Sequence, residues 1–483
     1  MGSVRFLEAV GAAIFGVGVV LSSWAHTAVD REAVSNSIAQ CQAGKMHYDR
    51  YFNNYHEAAV YKIDIKWKNE NRVLTTLDQA MDMIRLVHDF SGGLHQIVYL
   101  VGWQYDGHDS KYPSWSAVGQ QCKSSFSDDP RESLRRMMRE ARKYNADVSL
   151  HINMNDAYTN SPLWQTYVDN GLINRDAKGK FVTAGVWGGE RAYSVSHVKE
   201  WRSGFAQKRI LGLLELLPEL KDTHTIHIDA LFGRESPYDG ITIAKDIAAI
   251  NRTVDYWHDL GFDVTTEFLP SYDQIGYFPM LYHLNLDERH KVLYAPSLIC
   301  GGAGYSVRSR IDYYNKLWQG MMPCAGCIYE EAWGVGHWGD RQGSVKDEKA
   351  FLGNLFHCPI LYAYYNRSYP VRHEVDRENY VVRRANGVVS TIRMRDRALK
   401  VTDNGRTVVE DHDFFLDLPH GGGTILAFSE KGCDRVFGLP PSFAGVRSLT
   451  GRRYPGGDSC SLAVENGSVR IALTPGTSLV LHK

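Results

Sequence analysis

The sequence predicts an α/β fold, a (β/α)8 TIM barrel with a C-terminal antiparallel β-sandwich domain. Three observations carry that expectation. Short apolar strands alternate with amphipathic helical runs over roughly residues 57 to 370, at the spacing of a (β/α) barrel. The stretch at 94–103 is nearly continuous in apolar residues, as expected of a strand when helices cover both faces of a parallel sheet. From about Tyr380 the texture changes to short alternating runs divided by NG, GG and PG, which are hairpin signals. The expected organisation is an N-terminal segment at 1–56, a barrel at 57–370 and a β-domain at 371–483.

AAVYKIDIKW (58–67) reads as the first barrel strand. TTLDQAMDMIRLVHDF (75–90) is a helix with a threonine cap, stopped by Ser-Gly-Gly. LHQIVYLVGW (94–103) is a buried strand, PRESLRRMMREARKYN (130–145) a helix opening on proline, and ADVSLHINM (146–154) the next strand. WRSGFAQKRILGLLELLPEL (201–220) reads as one long helix. It leads into THTIHID and FDVTTEF, two strands flanking ITIAKDIAAINRTVDYWHDLGF, whose apolar residues recur at helical spacing before a glycine-bearing stop. The two strands end on carboxylates, Asp229 and Glu267.

Parallel barrels keep their chemistry on the rim where strands end. A pair of acids there can divide the labour of glycoside cleavage, one attacking the sugar carbon and one protonating the leaving oxygen. The plainer alternative makes Asp229 a loop cap and Glu267 a solvated rim charge. Glu235, six residues after Asp229, is the competing acid, and Arg234 or a tyrosine is the expected partner holding Asp229 ionised. His227 alternates with Ile226 and Ile228 and reads as a barrel-interior histidine. HINMNDAYTN (151–160) offers Asn153, Asn155, Asp156 and Tyr158 as pocket lining. IYEEAWGVGHWGD (328–340) places Trp333 and Trp338 in a glycine-flexed loop able to stack on a sugar, or to serve as a surface loop with two structural tryptophans.

The chain of 483 residues carries 54 basic and 55 acidic side chains, so its net charge of −1 gives no field that favours nucleic acid or anionic lipid. Its 27 tyrosines and 11 tryptophans exceed what a core requires, and flat rings beside polar groups suit sugar faces. Eight cysteines over this length are too few for a disulfide scaffold. Cys324 and Cys327 lack the second CxxC that a zinc site needs, so a local disulfide or two buried thiols is expected. Residues 1–25, with an apolar glycine-rich run ending near Ala25, resemble an export signal, although Glu8 interrupts the start of the run. The run is short for a membrane helix, so no span is expected in the mature chain. Secretion or periplasmic location is the reading favoured, with the cytoplasm as the alternative.

LHQIVYLVGWQYDGHDSKYPSW (94–115) runs from a strand into a rim loop rich in donors and acceptors. With the helix before it, from Thr75 onward, it resembles the corresponding segment of glycoside hydrolase family 101, the endo-α-N-acetylgalactosaminidases. The positions that carry the likeness are Gly102-Trp103-Gln104, Gly107-His108-Asp109-Ser110 and Pro113. The resemblance extends over roughly Tyr61 to Tyr365. It implies a retaining mechanism on α-linked N-acetylgalactosamine of mucin-type O-glycans, released from Ser or Thr as the sugar or the core-1 disaccharide. It places the nucleophile on Asp229 and the acid/base on Glu267, both catalytic, with Glu267 expected to have a raised pKa. It places sugar contacts on His108 and Asp109, with Trp103, Gln104, Asn153, Trp187, Trp333 and Trp338 as further substrate-binding candidates. The partner implied is an O-glycosylated protein or glycopeptide. No cofactor or catalytic metal is required, and a structural calcium ion is compatible with the reading. Family members are usually larger, which keeps exo-acting relatives of glycoside hydrolase family 129 in view. Two other classes remain open: a metal-dependent barrel hydrolase using His108, Asp109, His151 and Asp229, and a non-catalytic sugar-binding protein.

Overall fold

The computed structural model describes residues 51–69, 71–266, 277–278, 296, 348–393, 395–396, 398–418 and 423–483, with the backbone of short strands at Thr27–Asp30, Gly302–Ala303 and Cys327–Ile328. Five strands form a parallel sheet: β1 (Ala59–Asp64), β2 (Gln96–Val101), β3 (Ala146–Asn153), β4 (Thr225–Asp229) and β5 (Asp263–Thr266). Their order in the sheet is their order in the chain. Each unit adds to the same edge, which is the progression of a (β/α) barrel, whereas a doubly wound sheet reverses direction part-way. Among the described residues the sheet holds these five strands and does not close on itself.

The helices form where the capping chemistry asks for them. Helix α1 (Leu77–Ser91) starts on a capping box in which Thr76 and Gln79 satisfy each other's backbone N–H groups, and it ends on left-handed Gly92. Helix α2 (Pro130–Ala141) has proline at its first turn and Asp129 as its cap. The long helix expected over 201–220 is two helices, His197–Ser203 and α3 (Phe205–Leu216), because Gly204 between them takes φ 79°. Helix α4 (Ile243–Asp259) is capped by Thr242 and leads into β5.

Alternation along the strands divides the sheet into two environments. Val148, Leu150 and Ile152 of β3 and Ile226 and Ile228 of β4 join the large apolar core beneath the helices. Between them Ser149, His151, Asn153, Thr225 and His227 project to the opposite face and are equally buried. That face is polar and hydrogen-bonded in part within itself: Tyr99 and Tyr55 each contact the Thr225 hydroxyl at 2.6 Å, and His227 Nδ1 lies 2.8 Å from Thr265 Oγ1. His227 is therefore the interior histidine its alternation indicates.

The C-terminal strands run antiparallel from Pro370 to His482, with Thr27–Asp30 paired on the outer edge. Strands β6 (Asp413–Leu418), β7 (Thr424–Ser429) and β8 (Cys433–Gly438) show how this sheet encloses a core. β6 and β8 are far apart in strand order, yet Phe415 and Phe437 stack at 4.6 Å. The sheet thus folds over itself around Phe415, Ile425, Leu449, Ile471 and Leu481. Its other face meets the helices Glu348–Leu355 and Leu361–Asn366, with Phe356 stacked on Phe428 at 4.7 Å. Cys122, Cys433 and Cys460 are free thiols, while the bonding of Cys324 and Cys327 lies outside the described residues. Among the described residues no helix is long and apolar enough to cross a membrane.

Candidate active site

Asp229 is the last residue of β4 and stands on the C-terminal rim. The register that pairs His151 with His227 pairs Asn153 with Asp229, so β3 delivers an amide beside the acid. Asn153 Nδ2 donates to Asp229 Oδ2 at 3.2 Å and to Asp156 Oδ2 at 3.0 Å. Its own Oδ1 accepts the backbone N–H groups of Asn155 and Asp156 at 2.8 and 2.9 Å, which fixes the amide so that only nitrogen faces the acids. Asn155 Nδ2 donates to the carbonyl oxygen of Asp229 at 3.0 Å and to that of Ala230, and its Oδ1 meets His197 Nε2 at 2.8 Å. This latch holds the chain at Ala230, whose φ of 44° is unfavourable for a residue with a Cβ.

On the other side His151 Nε2 lies 3.6 Å from Asp229 Oδ2. His151 stacks edge-on against His108 at 4.9 Å, and His108 in turn against Trp67 at 5.1 Å. The Asp229 side chain is 15% exposed, enclosed but open to a reactant. The loop carrying His108 is pinned by a backbone bond from His108 N to the Lys66 carbonyl at 2.8 Å. Gly102 makes that approach possible, since a Cβ there would stand 1.8 Å from the Lys66 oxygen. Asp109 follows with φ 58°, its Oδ2 3.6 Å from His108 Nε2.

Two of the predicted contact residues stand behind the site. Trp103 is fully buried and donates its indole N–H to the His151 carbonyl at 3.1 Å. Gln104 is equally buried, donating to Gly107 O at 3.1 Å and Tyr112 Oη at 3.0 Å. Trp187 ends the strand Thr183–Trp187 and is 37% exposed, in the small sheet that pairs Asp156 with Ser194. Glu235 is exposed, unlike Asp229. The charge of Arg234 acts on Asp156 and Asp246, and the groups beside Asp229 include Asn153 and His151. Burial pushes the Asp156 carboxyl up to about 7, with Asp109 adding to the shift and Arg234 and Asn153 opposing it. His197, which meets Asn155, carries no signal in the sequence, because nothing in SVSHVKE marks it. Glu267, Trp333 and Trp338 lie outside the described residues.

His108, His151 and Asp229 can each offer one ligand atom, all within 4.8 Å of one another, a spacing able to hold a metal ion.

A rim carboxylate gripped by an amide, beside histidines at the strand ends of a parallel α/β sheet, stands where parallel barrels keep their chemistry. The sequence model of family 101, described as endo-alpha-N-acetylgalactosaminidase, matches residues 38–283, just over half of the chain. The protein belongs to glycoside hydrolase family 101. The fold is similar to that of the alpha-N-acetylgalactosaminidase NagBb from Bifidobacterium bifidum in its GalNAc complex, with TM-score 0.57 and 13% identity over 77% of this chain and 63% of that one. The ligand-free form of that enzyme gives TM-score 0.54 and 12% identity over 76% and 62%. The chain thus spans less than two thirds of NagBb, and at this identity the likeness concerns the fold.

Proposed function

We propose that the protein is a retaining α-glycoside hydrolase acting on α-linked N-acetylgalactosamine of mucin-type O-glycans, with Asp229 as nucleophile and Glu267 as acid/base. The observation that carries the reading is the Asp229 carboxylate, held on the barrel rim by Asn153 within the segment that matches the family. Asp229 attacks the anomeric carbon while Glu267 protonates the leaving oxygen of Ser or Thr; Glu267 then activates the water that releases the glycosyl-enzyme. Glu267 follows Thr266 in sequence, and Thr266 is paired with Ile228, the residue before Asp229. Retention requires carboxyls about 5–5.5 Å apart, a separation suited to neighbouring strands. His108, Asp109 and Trp187 contact the sugar together with Trp333 and Trp338, and Trp103 and Gln104 serve binding through the loop they support. In this reading residues 57–370 form the catalytic barrel, residues 371–483 a supporting β-domain, and the enzyme is exported to meet glycoprotein substrates.

The test is hydrolysis of para-nitrophenyl α-glycosides of N-acetylgalactosamine and of the core-1 disaccharide, with product anomers followed by NMR. The first substrate preferred indicates exo action, the second endo action. Asp229→Ala and Glu267→Ala should both abolish turnover, with azide giving glycosyl azides of opposite anomeric configuration in the two variants. Full activity in either variant, or an inverted product, would overturn the assignment.

A metal-dependent hydrolase is the second reading, favoured by the mutual approach of His108, His151 and Asp229. Metal content in purified protein together with activity lost to chelator would establish it over the first.

A further inference from the structure

The structure assigns a metal-binding site, for a divalent transition ion of the zinc class, to His357, His412 and Glu430 at the junction between the last helices and the β-domain. The three residues come from separate elements. His357 lies in the helical segment Phe356–Ile360, His412 in the turn before β6, and Glu430 directly after β7. The antiparallel pairing of Asp413 with Ser429 continues into a backbone bond from Glu430 N to His412 O at 3.1 Å, so two of the ligands are set side by side by the sheet. Packing of the helix brings the third. The His357 ring stands edge-on to Phe414 at 4.9 Å, and its Nε2 reaches Glu430 Oε2 at 3.4 Å.

Three features fit a metal better than a chance polar contact. One ligand atom from each residue lies within 4.8 Å of the others, and the 3.4 Å separation of His357 Nε2 from Glu430 Oε2 is the edge of a tetrahedron with metal–ligand bonds of about 2.1 Å. His412 turns its two nitrogens to different carboxylates. Nδ1 bonds the Glu430 oxygen, and Nε2 lies 2.8 Å from Asp411 Oδ2. The outer carboxylate fixes the tautomer that presents Nδ1 as a ligand, the usual support for a metal-bound histidine. Both imidazoles are buried while Glu430 is half exposed, so a cation has a dry floor, an entry path and a fourth position open to water. Binding replaces the hydrogen shared between His412 and Glu430 by the ion. Two imidazoles with one carboxylate select zinc, nickel or copper over calcium, which takes oxygen ligands. The ion would clip the helical layer to the β-domain.

The test uses the full chain, stripped with chelator, dialysed against ZnCl2 and assayed by elemental analysis and thermal unfolding. Because His108, His151 and Asp229 form another candidate cluster, binding is measured in parallel in His108→Gln. The expected result is zinc that survives His108→Gln but is lost in His357→Asn and His412→Gln, with a zinc-dependent rise in Tm that disappears with it. Glu430→Gln, at a half-exposed position, keeps the fold where a histidine variant does not, and should weaken binding at least tenfold. Absence of bound zinc in the parent chain would overturn the assignment. So would unchanged affinity in Glu430→Gln, or loss of all zinc in His108→Gln.

Discussion

Asn153→Asp changes one atom and reverses the electrostatics of the site. The variant keeps the Oδ1 acceptor for the Asn155 and Asp156 N–H groups but replaces the donor that stands 3.0 Å from Asp156 and 3.2 Å from Asp229. An oxygen anion there faces the Asp229 carboxylate and, in its ionised fraction, Asp156. At an effective dielectric of about 20 and about 3 Å, each fully charged pair costs roughly 5 kcal/mol, equivalent to about four pKa units. A cluster under that repulsion takes up a proton and shares it, so the variant carries one proton more near neutrality. If Asp229 is the nucleophile, the acidic limb of kcat/KM should move up by about two pH units, half the full Coulomb figure because the rim is open to water. At the midpoint of the parent limb, where the parent is half active and the variant about one hundredth active, that is a loss of about 50-fold. The assay is the pH profile on para-nitrophenyl α-N-acetylgalactosaminide, with near-UV circular dichroism confirming the fold. Asn153→Ala, which removes the donor without adding charge, should lower activity with a smaller displacement. Superimposable profiles for parent and Asn153→Asp, both folded, would refute control of the Asp229 charge by Asn153.

Gly102→Ala forces a Cβ to within 1.8 Å of the Lys66 oxygen at φ 76°, so it should displace the His108 loop, cost about 3 kcal/mol or more, and raise KM even at temperatures where the variant is folded. Urea titration and substrate saturation read the two effects. Arg209→Met strands the Glu200 carboxylate, whose side chain is 1% exposed and now pairs with Arg209 at 2.6 Å; a loss of about 3–5 kcal/mol is expected, with Glu200→Gln added to Arg209→Met restoring much of it. Burial pushes the Asp263 carboxyl up to about 7 despite bonds from Phe52 N and Asn53 N. The native state therefore keeps a proton that the unfolded chain releases near pH 4, and Asp263 disfavours folding progressively as pH rises from about 4 to 7. Relative to Asp263→Asn, which cannot titrate, parent stability should fall by about 4 kcal/mol at most across that window, and a constant difference by chemical denaturation would exclude the shift.

Much of the frame is written in local pattern. Strand alternation, the Thr76 cap and the proline at the start of α2 each act within one turn or one pleat, so their signals survive in the linear chain. The acid ending β4 is legible for the same reason. What holds that acid is not, since Asn153 reaches Asp229 only through a strand register set across 76 residues, and His197 reaches Asn155 from 42 residues away. The Trp103-Gln104 step illustrates a different gap. Aromatic and amide side chains after a strand suit a sugar surface, but composition does not say which way the chain turns; at Gly102 it turns so that both side chains pack inward. The helix expected across Gly204 fails likewise, because apolar spacing continues through a residue whose left-handed φ ends one helix and begins another.

The buried polar face joins these two levels. Tyr99, His227, His151 and His108 stand ring against ring at 5.3, 5.0 and 4.9 Å, a column leading from the interior strands to the rim loop. Three of its members sit on β2, β4 and β3, where side-chain direction is fixed by the pleat, and the fourth belongs to a loop that would otherwise move. The column therefore transfers the positional precision of the strands to His108, while the bond to Lys66 fixes the loop's height. Substitution deep in the interior, at His227, should loosen His108 without touching the rim, whereas an equal change of volume beneath the helices should not.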